Sequence, residues 1–382
     1  MGLPLAGVTV VSCEQAVAAP LASRQLADLG ARVIKVERPG GGDFARRYDR
    51  TVHGLSSHFV WLNRSKESVA LDLKDDADRT ALLRLIDGAD VFLQNYGPGA
   101  AERLGLGAEE LRQTRPELIC CSVSGYGTSG PLRDAKAYDL LVQAETGLVS
   151  ITGTEDAPAK SGIPAADIAA GMYAFSAVLA ALYHRAVTGE GATLHVNLFD
   201  SLLEWMGYPL YYTRYGGRQP RRAGTSHAAI APYGTYCAGD GTAVVLSVQN
   251  EGEWLRFCEG VLQRPDLATA AEFATQPDRV AHRSALDAEI DAALVDLDGR
   301  ELLGRLQTAG IAHARQRDLV DVIEHPQLTA RQRWVPLDTP AGIVQALRPP
   351  IEWAGMDVRM DAVPDVGQHT SRVLAELADP GV

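Results

Sequence analysis

Cysteine is scarce in this chain: five in 382 residues, at Cys13, Cys120, Cys121, Cys237 and Cys258. They are odd in number, scattered and without the paired spacing of a zinc site, which excludes a disulfide framework and leaves free thiols in a reducing compartment. Basic residues are in deficit, 36 Lys and Arg against 48 Asp and Glu, a formal charge of −12. A general nucleic-acid binder is thereby excluded, because phosphate neutralisation needs a basic excess, and any anionic ligand must be met by a local cluster of cations. Long hydrophobic runs are missing too. The longest uncharged stretch, 168–183, falls short of the roughly 20 residues that cross a bilayer and reads as a buried helix, so no membrane partner is expected. The opening "MGLPLAGVTVVSCEQ" has neither a basic leader nor a cleavage-like site, which predicts a cytoplasmic protein rather than a secreted one. Internal repeats and low-complexity segments are absent.

What is present is an alternation. "GVTVVS" and "ARVIKVE" are short β-branched runs separated by "PLASRQLADLG", whose apolar residues recur at helical spacing and stop at Gly30. The unit repeats through "SVALDL", "DDADRTALLRLIDGA", "DVFLQN", "AEELRQTR" and "ELICCSVS". Strands alternating with helices of this length predict an α/β fold, a doubly wound and mostly parallel Rossmann-like sheet. The length calls for a second domain. A large α/β domain is expected over 1–200, a Gly, Arg and Pro-rich linker over 201–224, a smaller α+β domain over 225–320, and a segment over 321–382 that returns to the large domain.

Residues 125–130, "GYGTSG", match a dinucleotide fingerprint and follow an apolar strand. Pro131, Arg133, Asp134 and Lys136 come next, so no apolar helix offers its N-terminus to a phosphate, and nicotinamide binding is set aside. The strand ends carry a more coherent signal. "VIKVERPGGGDFARRY" places Lys35, Glu37, Arg38, Asp43, Arg46 and Arg47 just past one strand; "LDLK", "QNYGPGAAERLGL" and "KAYD" follow others. In open α/β sheets ligands bind beyond the carboxyl ends of the strands, so these cations and aromatics are placed to meet an anion.

Asp167 stands where a polar stretch gives way to the apolar run of "AADIAAGMYAFSAVLAALYHRA". Aspartate there is either a helix N-cap or a carboxylate that the helix presents. Arg38, Arg46 and Arg47 likewise read as ligand-facing or as a solvated turn, Lys74 and Arg103 as ligand-facing or as helix-surface residues, and Tyr138 as a site or core aromatic.

The segments "LADLGARVIKVERPGGGD", "NRSKESVALDLK", "ADVFLQNYGPGAAERLGL", "KAYDLLVQAETGL", "GIPAADIAAGMYAFSAVLAALYHRAVTGEG" and "GQHTSRVLAEL" resemble the family III CoA-transferases, which include formyl-CoA and carnitine CoA-transferases and a racemase branch. Within it, "EQAVAAP", "KAYDLLVQAE" and "HAAIAPYG" are most similar to the branch of mesaconyl-CoA C1–C4 CoA transferase, which acts on small dicarboxylic acids. The resemblance implies an interlocked homodimer and an acyl-CoA:carboxylate transfer, with mesaconate, succinate, malate or itaconate as acceptors. The substrates are then a coenzyme A thioester and a small carboxylic acid, with no permanently bound cofactor and no metal. It also implies Asp167 as the catalytic carboxylate and Arg38, Leu71, Lys74, Asn95, Tyr96, Arg103, Lys136 and Tyr138 at the CoA site.

The chemistry of the residue type agrees. A carboxyl with a pKa of about 3.9 is ionised at neutral pH and needs no partner base, whereas a serine nucleophile would. Thioester exchange is nearly isoenergetic, so its requirements are oxyanion stabilisation and exclusion of water. The sequence departs from the family in two places. "SHAAIAPYG" replaces the family's glycine loop, which makes His227, Tyr233 and Gly234 the oxyanion candidates. Val17 stands where formyl-CoA transferase has a glutamine, and Gln15 is the candidate to replace it. Two alternatives stay open, a non-catalytic CoA-binding protein and an α-methylacyl-CoA racemase. Racemisation needs an acid and a base on opposite faces; Tyr138 occupies the position of that branch's histidine, and a phenol is a poor substitute. A second carboxylate on the substrate is assigned to one of Arg214, Arg218, Arg221 and Arg222.

Overall fold

The computed structural model describes residues 2–378. Two compact units are present, a larger one of Met1–Leu148, Lys160–Leu210 and Thr329–Val382 and a smaller one of Val149–Ala159 and Tyr211–Leu328. The larger unit is built on six strands: β1 (Thr9–Cys13), β2 (Arg32–Glu37), β3 (Lys66–Ala70), β4 (Val91–Gln94), β5 (Ile119–Ser124) and β6 (Thr193–Asn197). They lie in the order β3-β2-β1-β4-β5-β6, every pair parallel. This is the doubly wound arrangement, and its order reverses between β1 and β4, opening a crevice at their carboxyl ends.

Alternate residues of each strand face opposite sides, so both faces are apolar. Val10, Val33, Leu93 and Ile119 join one core, while Val11, Ile34, Phe92 and Cys120 join the other. The first core is completed by the helix Ala18–Asp28 and the long helix Ala165–Thr188. Small side chains let the two helices approach closely: Ala18, Ala19 and Ala22 on one and Ala166, Ala170 and Ala174 on the other are all buried. At Gly171 an added Cβ would lie 2.6 Å from the Ala18 carbonyl oxygen, so only glycine fits the crossing. The long helix has 24 residues, more than the uncharged run alone suggests, and by length and composition it could span a bilayer. Here its buried residues serve instead as one wall of a core.

Where a linker is expected over 201–224, the chain is helical at Leu198–Trp205 and Gly207–Gly216. The smaller unit has three antiparallel strands, β7 (Tyr233–Cys237), β8 (Ala243–Ser247) and β9 (Ala312–Arg315). Its core contains Trp254, Phe257, Phe273, Leu286 and Leu302. The last stretch of chain is tied to the edge strand β3 of the larger unit. The His369 N–H donates to the Ser68 carbonyl at 2.9 Å, and the Ser68 and Ala70 N–H groups donate to His369 Nδ1 and Thr370 Oγ1 at 3.0 and 2.9 Å.

Candidate active site

The loops that leave β1 and β4 meet at the reversal of the sheet. The Gln15 N–H donates to Asn95 Oδ1 at 2.9 Å, and Asn95 Nδ2 returns a hydrogen bond to the Gln15 carbonyl at 2.8 Å. Ala16 follows with φ 64°, a left-handed backbone rare for alanine, and its N–H is held by Asp43 Oδ1 at 3.1 Å. Such conformations persist only where the surroundings enforce them, and they gather at functional sites. Around this junction lies a cleft of about 580 Å³ lined by Gln15, Val17, Asn95, Tyr96, Lys136, Tyr138 and Asp167. A pocket of about 240 Å³ lined by Arg38, Leu71, Lys74 and Leu104 shares Gln15 and Tyr96 with it. The structure thus brings together the large-unit residues that the family resemblance assigned to the site, except Arg103, which is exposed on the short helix Ala100–Arg103 and lines neither space.

Asp167 sits in the first turn of the long helix but does not cap it. The N-cap position is Pro164, whose side chain caps nothing. The work is done from another element: Asp139 Oδ1 accepts the N–H of Ala166 at 2.8 Å and that of Asp167 at 3.4 Å. Asp139 is held in turn by Gln143 Nε2 at 2.6 Å. The Asp167 carboxyl is therefore released from capping and faces the cleft. Burial, reinforced by the negative Asp139, raises its pKa to about 7. Compared with an ordinary aspartate, this carboxyl holds its proton to higher pH. In exchange, the anion that does form is poorly solvated and correspondingly reactive.

The cations after β2 also need correction, since most are committed to internal partners. Lys35 is fully buried, with Nζ 2.9 Å from Asp43 Oδ2 and 3.4 Å from Glu14 Oε1. Lys66, also buried, places Nζ 2.7 Å from Glu14 Oε1. Glu37, held well below the usual carboxylate range, pairs with Arg46 at 2.7 Å and accepts from Ser68 Oγ at 2.5 Å. Arg47 donates to the Gly41 carbonyl at 3.4 Å. Arg38 is the cation of this stretch that lines a pocket. The ionic layer under the site fixes Asp43, and Asp43 fixes Ala16.

Sequence reasoning missed one wall of the cleft. Phe44, Tyr48 and His58 line it together with Asp167. Tyr48 packs edge-on to His58 with centroids 5.2 Å apart, and its phenol is pushed up to about 12 by burial and then by Asp43, Asp167 and Tyr138. These residues lie in irregular chain and a single-turn helix, where no periodicity marks them. "GYGTSG" is a packing feature: a Cβ on Gly125 would meet the Ala137 Cβ at 2.2 Å.

The remaining candidates belong to the smaller unit. His227 stacks on Tyr233 with centroids 5.2 Å apart, and its N–H donates to the Tyr233 carbonyl at 2.8 Å, so that donor is occupied within the loop. Gly234 is pressed against Ser226, whose Oγ lies 2.6 Å from where a Cβ would stand. Arg222 is spent on the Thr154, Ser150 and Glu155 carbonyls at 2.8, 3.2 and 2.7 Å. Arg214, Arg218 and Arg221 are exposed.

Comparison with known proteins agrees with this geometry. The model of the CoA-transferase family III matches residues 5–370. The chain is 35% identical to an acetyl-CoA:oxalate CoA-transferase of Acetobacter aceti, over 99% of this chain and 96% of that one. It is 33% identical to a succinyl-CoA:mesaconate CoA-transferase of Haloarcula hispanica, over 96% and 94%. The crystal structure of a CAIB/BAIF family protein from Brucella suis superposes with a TM-score of 0.87 at 33% identity, covering 99% of this chain and 100% of that one. With a family match that runs almost end to end and relatives that share its whole length, the chain belongs to the CoA-transferase family III.

Proposed function

We propose that this enzyme transfers CoA from an acyl-CoA to a short dicarboxylic acid, with Asp167 as the nucleophile. The observation that carries the proposal is a desolvated carboxyl, raised to about 7, in a cleft that adjoins a pocket lined by Arg38 and Lys74. An Asp167 oxygen attacks the thioester carbonyl, forming a mixed anhydride and expelling CoA thiolate. The thiolate attacks the aspartyl carbonyl, releasing the donor acid and leaving an aspartyl-CoA thioester. The acceptor carboxylate attacks that thioester, giving a second anhydride and CoA thiolate again, and the thiolate then takes the new acyl group and frees Asp167. A carboxyl attacks only as its anion, so the raised pKa sets the pH at which the cycle runs.

Arg38 and Lys74 are the proposed partners of the CoA phosphates, Leu71 of its apolar portion, Tyr96 part of the lining shared by both spaces, and Asn95 part of the cleft beside Asp167. Gln15 and its neighbours are the proposed donors to the tetrahedral oxyanion. A dicarboxylate acceptor is supported by relatives named for oxalate and mesaconate. The enzyme is taken as a cytoplasmic homodimer without a permanently bound cofactor and without nucleic-acid or membrane partners. A matrix of acetyl-CoA and succinyl-CoA donors against oxalate, succinate, mesaconate, malate and itaconate acceptors tests the assignment. CoA transfer to at least one diacid is expected; transfer to monoacids alone would contradict it.

A further inference from the structure

We propose that His58 and Tyr48 select dicarboxylic over monocarboxylic acceptors by binding the carboxylate that does not react. The inference rests on the dicarboxylate acceptor proposed above and assigns the residues that recognise it.

Both side chains line the cleft that holds Asp167. His58 Nδ1 is buried without a hydrogen-bond partner and lies 3.7 Å from Asp49 Oδ2. A buried polar atom left unpaired calls for an explanation. Asp49 is immobilised by Thr51 Oγ1 at 2.6 Å, Ser57 Oγ at 2.8 Å and the Ser57 N–H at 3.1 Å, so its charge is fixed beside the imidazole. The Asp49 carboxylate on the Nδ1 side fixes which way the ring faces. With Nδ1 turned toward Asp49, a carboxylate arriving at Nε2 meets an N–H donor on the opposite side of the ring.

Tyr48 supplies the second donor. Its ring stands at 90° to the His58 imidazole and tilts against Phe44 at 5.7 Å, which holds the phenol in place. With the phenol pushed up to about 12, it stays protonated and donates at any working pH. The other charged groups lining this cleft are Asp134, Asp139, Asp167 and Lys136. Three are anionic and repel a second carboxylate, so Lys136 is the competing cation.

The test compares succinate with butyrate, a chain of equal length lacking one carboxylate, as kcat/KM for CoA acceptance by the full-length enzyme. The succinate-to-butyrate ratio is expected to fall about ten-fold or more in His58→Phe, which keeps a ring against Tyr48, and several-fold in Tyr48→Phe. His58→Gln, which retains a donor, is expected between wild type and His58→Phe. Because a ratio is read, loss of folded enzyme cancels. Ratios within two-fold of wild type in both His58 variants, or a ratio that collapses in Lys136→Gln alone, would overturn the assignment. Wild type that accepts no diacid would overturn the acceptor class itself, a separate result from a diacid-active wild type whose ratio ignores His58.

Discussion

Asp139 Oδ1 accepts the backbone N–H of Asp167 at 3.4 Å and that of the preceding Ala166 at 2.8 Å, so one acidic residue caps the helix that presents the other. The cap separates two tasks that a lone first-turn aspartate would have to combine. It also places a like charge close to Asp167, which adds to burial in raising that carboxyl to about 7.

Asp139→Asn keeps an acceptor for Ala166 and removes the charge. The alkaline-rising limb of kcat/KM is therefore expected to move to lower pH by roughly half to one unit, at the cost of the hydrogen bond from Gln143 Nε2, which the new amide nitrogen cannot accept. Asp139→Ala loses the cap and costs about 1 kcal/mol as well. Rate profiles over pH 5–9 with thermal melts of both variants check this; an unmoved limb in Asp139→Asn would remove the electrostatic coupling.

Stability carries the same signature with a definite sign. The folded pKa of Asp167 lies above its unfolded value of about 3.9, so the folded state holds the proton longer. That contribution is full below about pH 4 and is lost as pH rises through about 7. Asp167→Asn escapes the loss. The variant is expected to match wild type near pH 4 and to exceed it by about 2 kcal/mol at pH 8, read as a higher unfolding midpoint.

Gly171→Ala is expected to lower the melting temperature by several degrees and to depress kcat. The new methyl would stand 2.6 Å from the Ala18 carbonyl, a backbone atom that cannot step aside, and forcing the helices apart costs on the order of 1–3 kcal/mol. Ala16 and Val17 lie just ahead of Ala18, so the displacement reaches the cleft. Unchanged stability would show that the crossing is looser than described.

Arg38→Ala and Lys74→Ala are expected to raise KM for the acyl-CoA donor about ten-fold each while leaving kcat within two-fold, and to flatten its dependence on salt. Steady-state kinetics at two ionic strengths measures both effects.

Much of this was legible in the sequence. The β-branched runs marked all five strands of the alternating series, and the switch from polar to apolar residues at Asp167 marked the start of the long helix. Less could be read of direction. Lys35 and Arg38 are three residues apart near the same strand end, yet Lys35 points into a buried ionic layer and Arg38 lines a pocket. Lys35 lies inside β2, between Ser12 of β1 and Ser68 of β3, whereas Arg38 lies just past the strand's end. The cap from Asp139 crosses 27 residues to Ala166, and the raised pKa of Asp167 is a property of surroundings that no local pattern encodes. Tyr48 and His58 were missed for a similar reason: Tyr48 lies in irregular chain and His58 in the six-residue helix Ser57–Leu62, too short for a periodicity to say which side chains share a wall.

The central claim is that an Asp167 oxygen forms covalent bonds during turnover. Mass spectrometry of the enzyme incubated with succinyl-CoA, before and after hydroxylamine, tests it directly. A CoA thioester is expected on the peptide containing Asp167, discharged by hydroxylamine and absent from Asp167→Asn, which should also lose turnover by at least a thousand-fold. An Asp167→Asn enzyme that turns over at near the wild-type rate, or an adduct on another residue, would contradict the account.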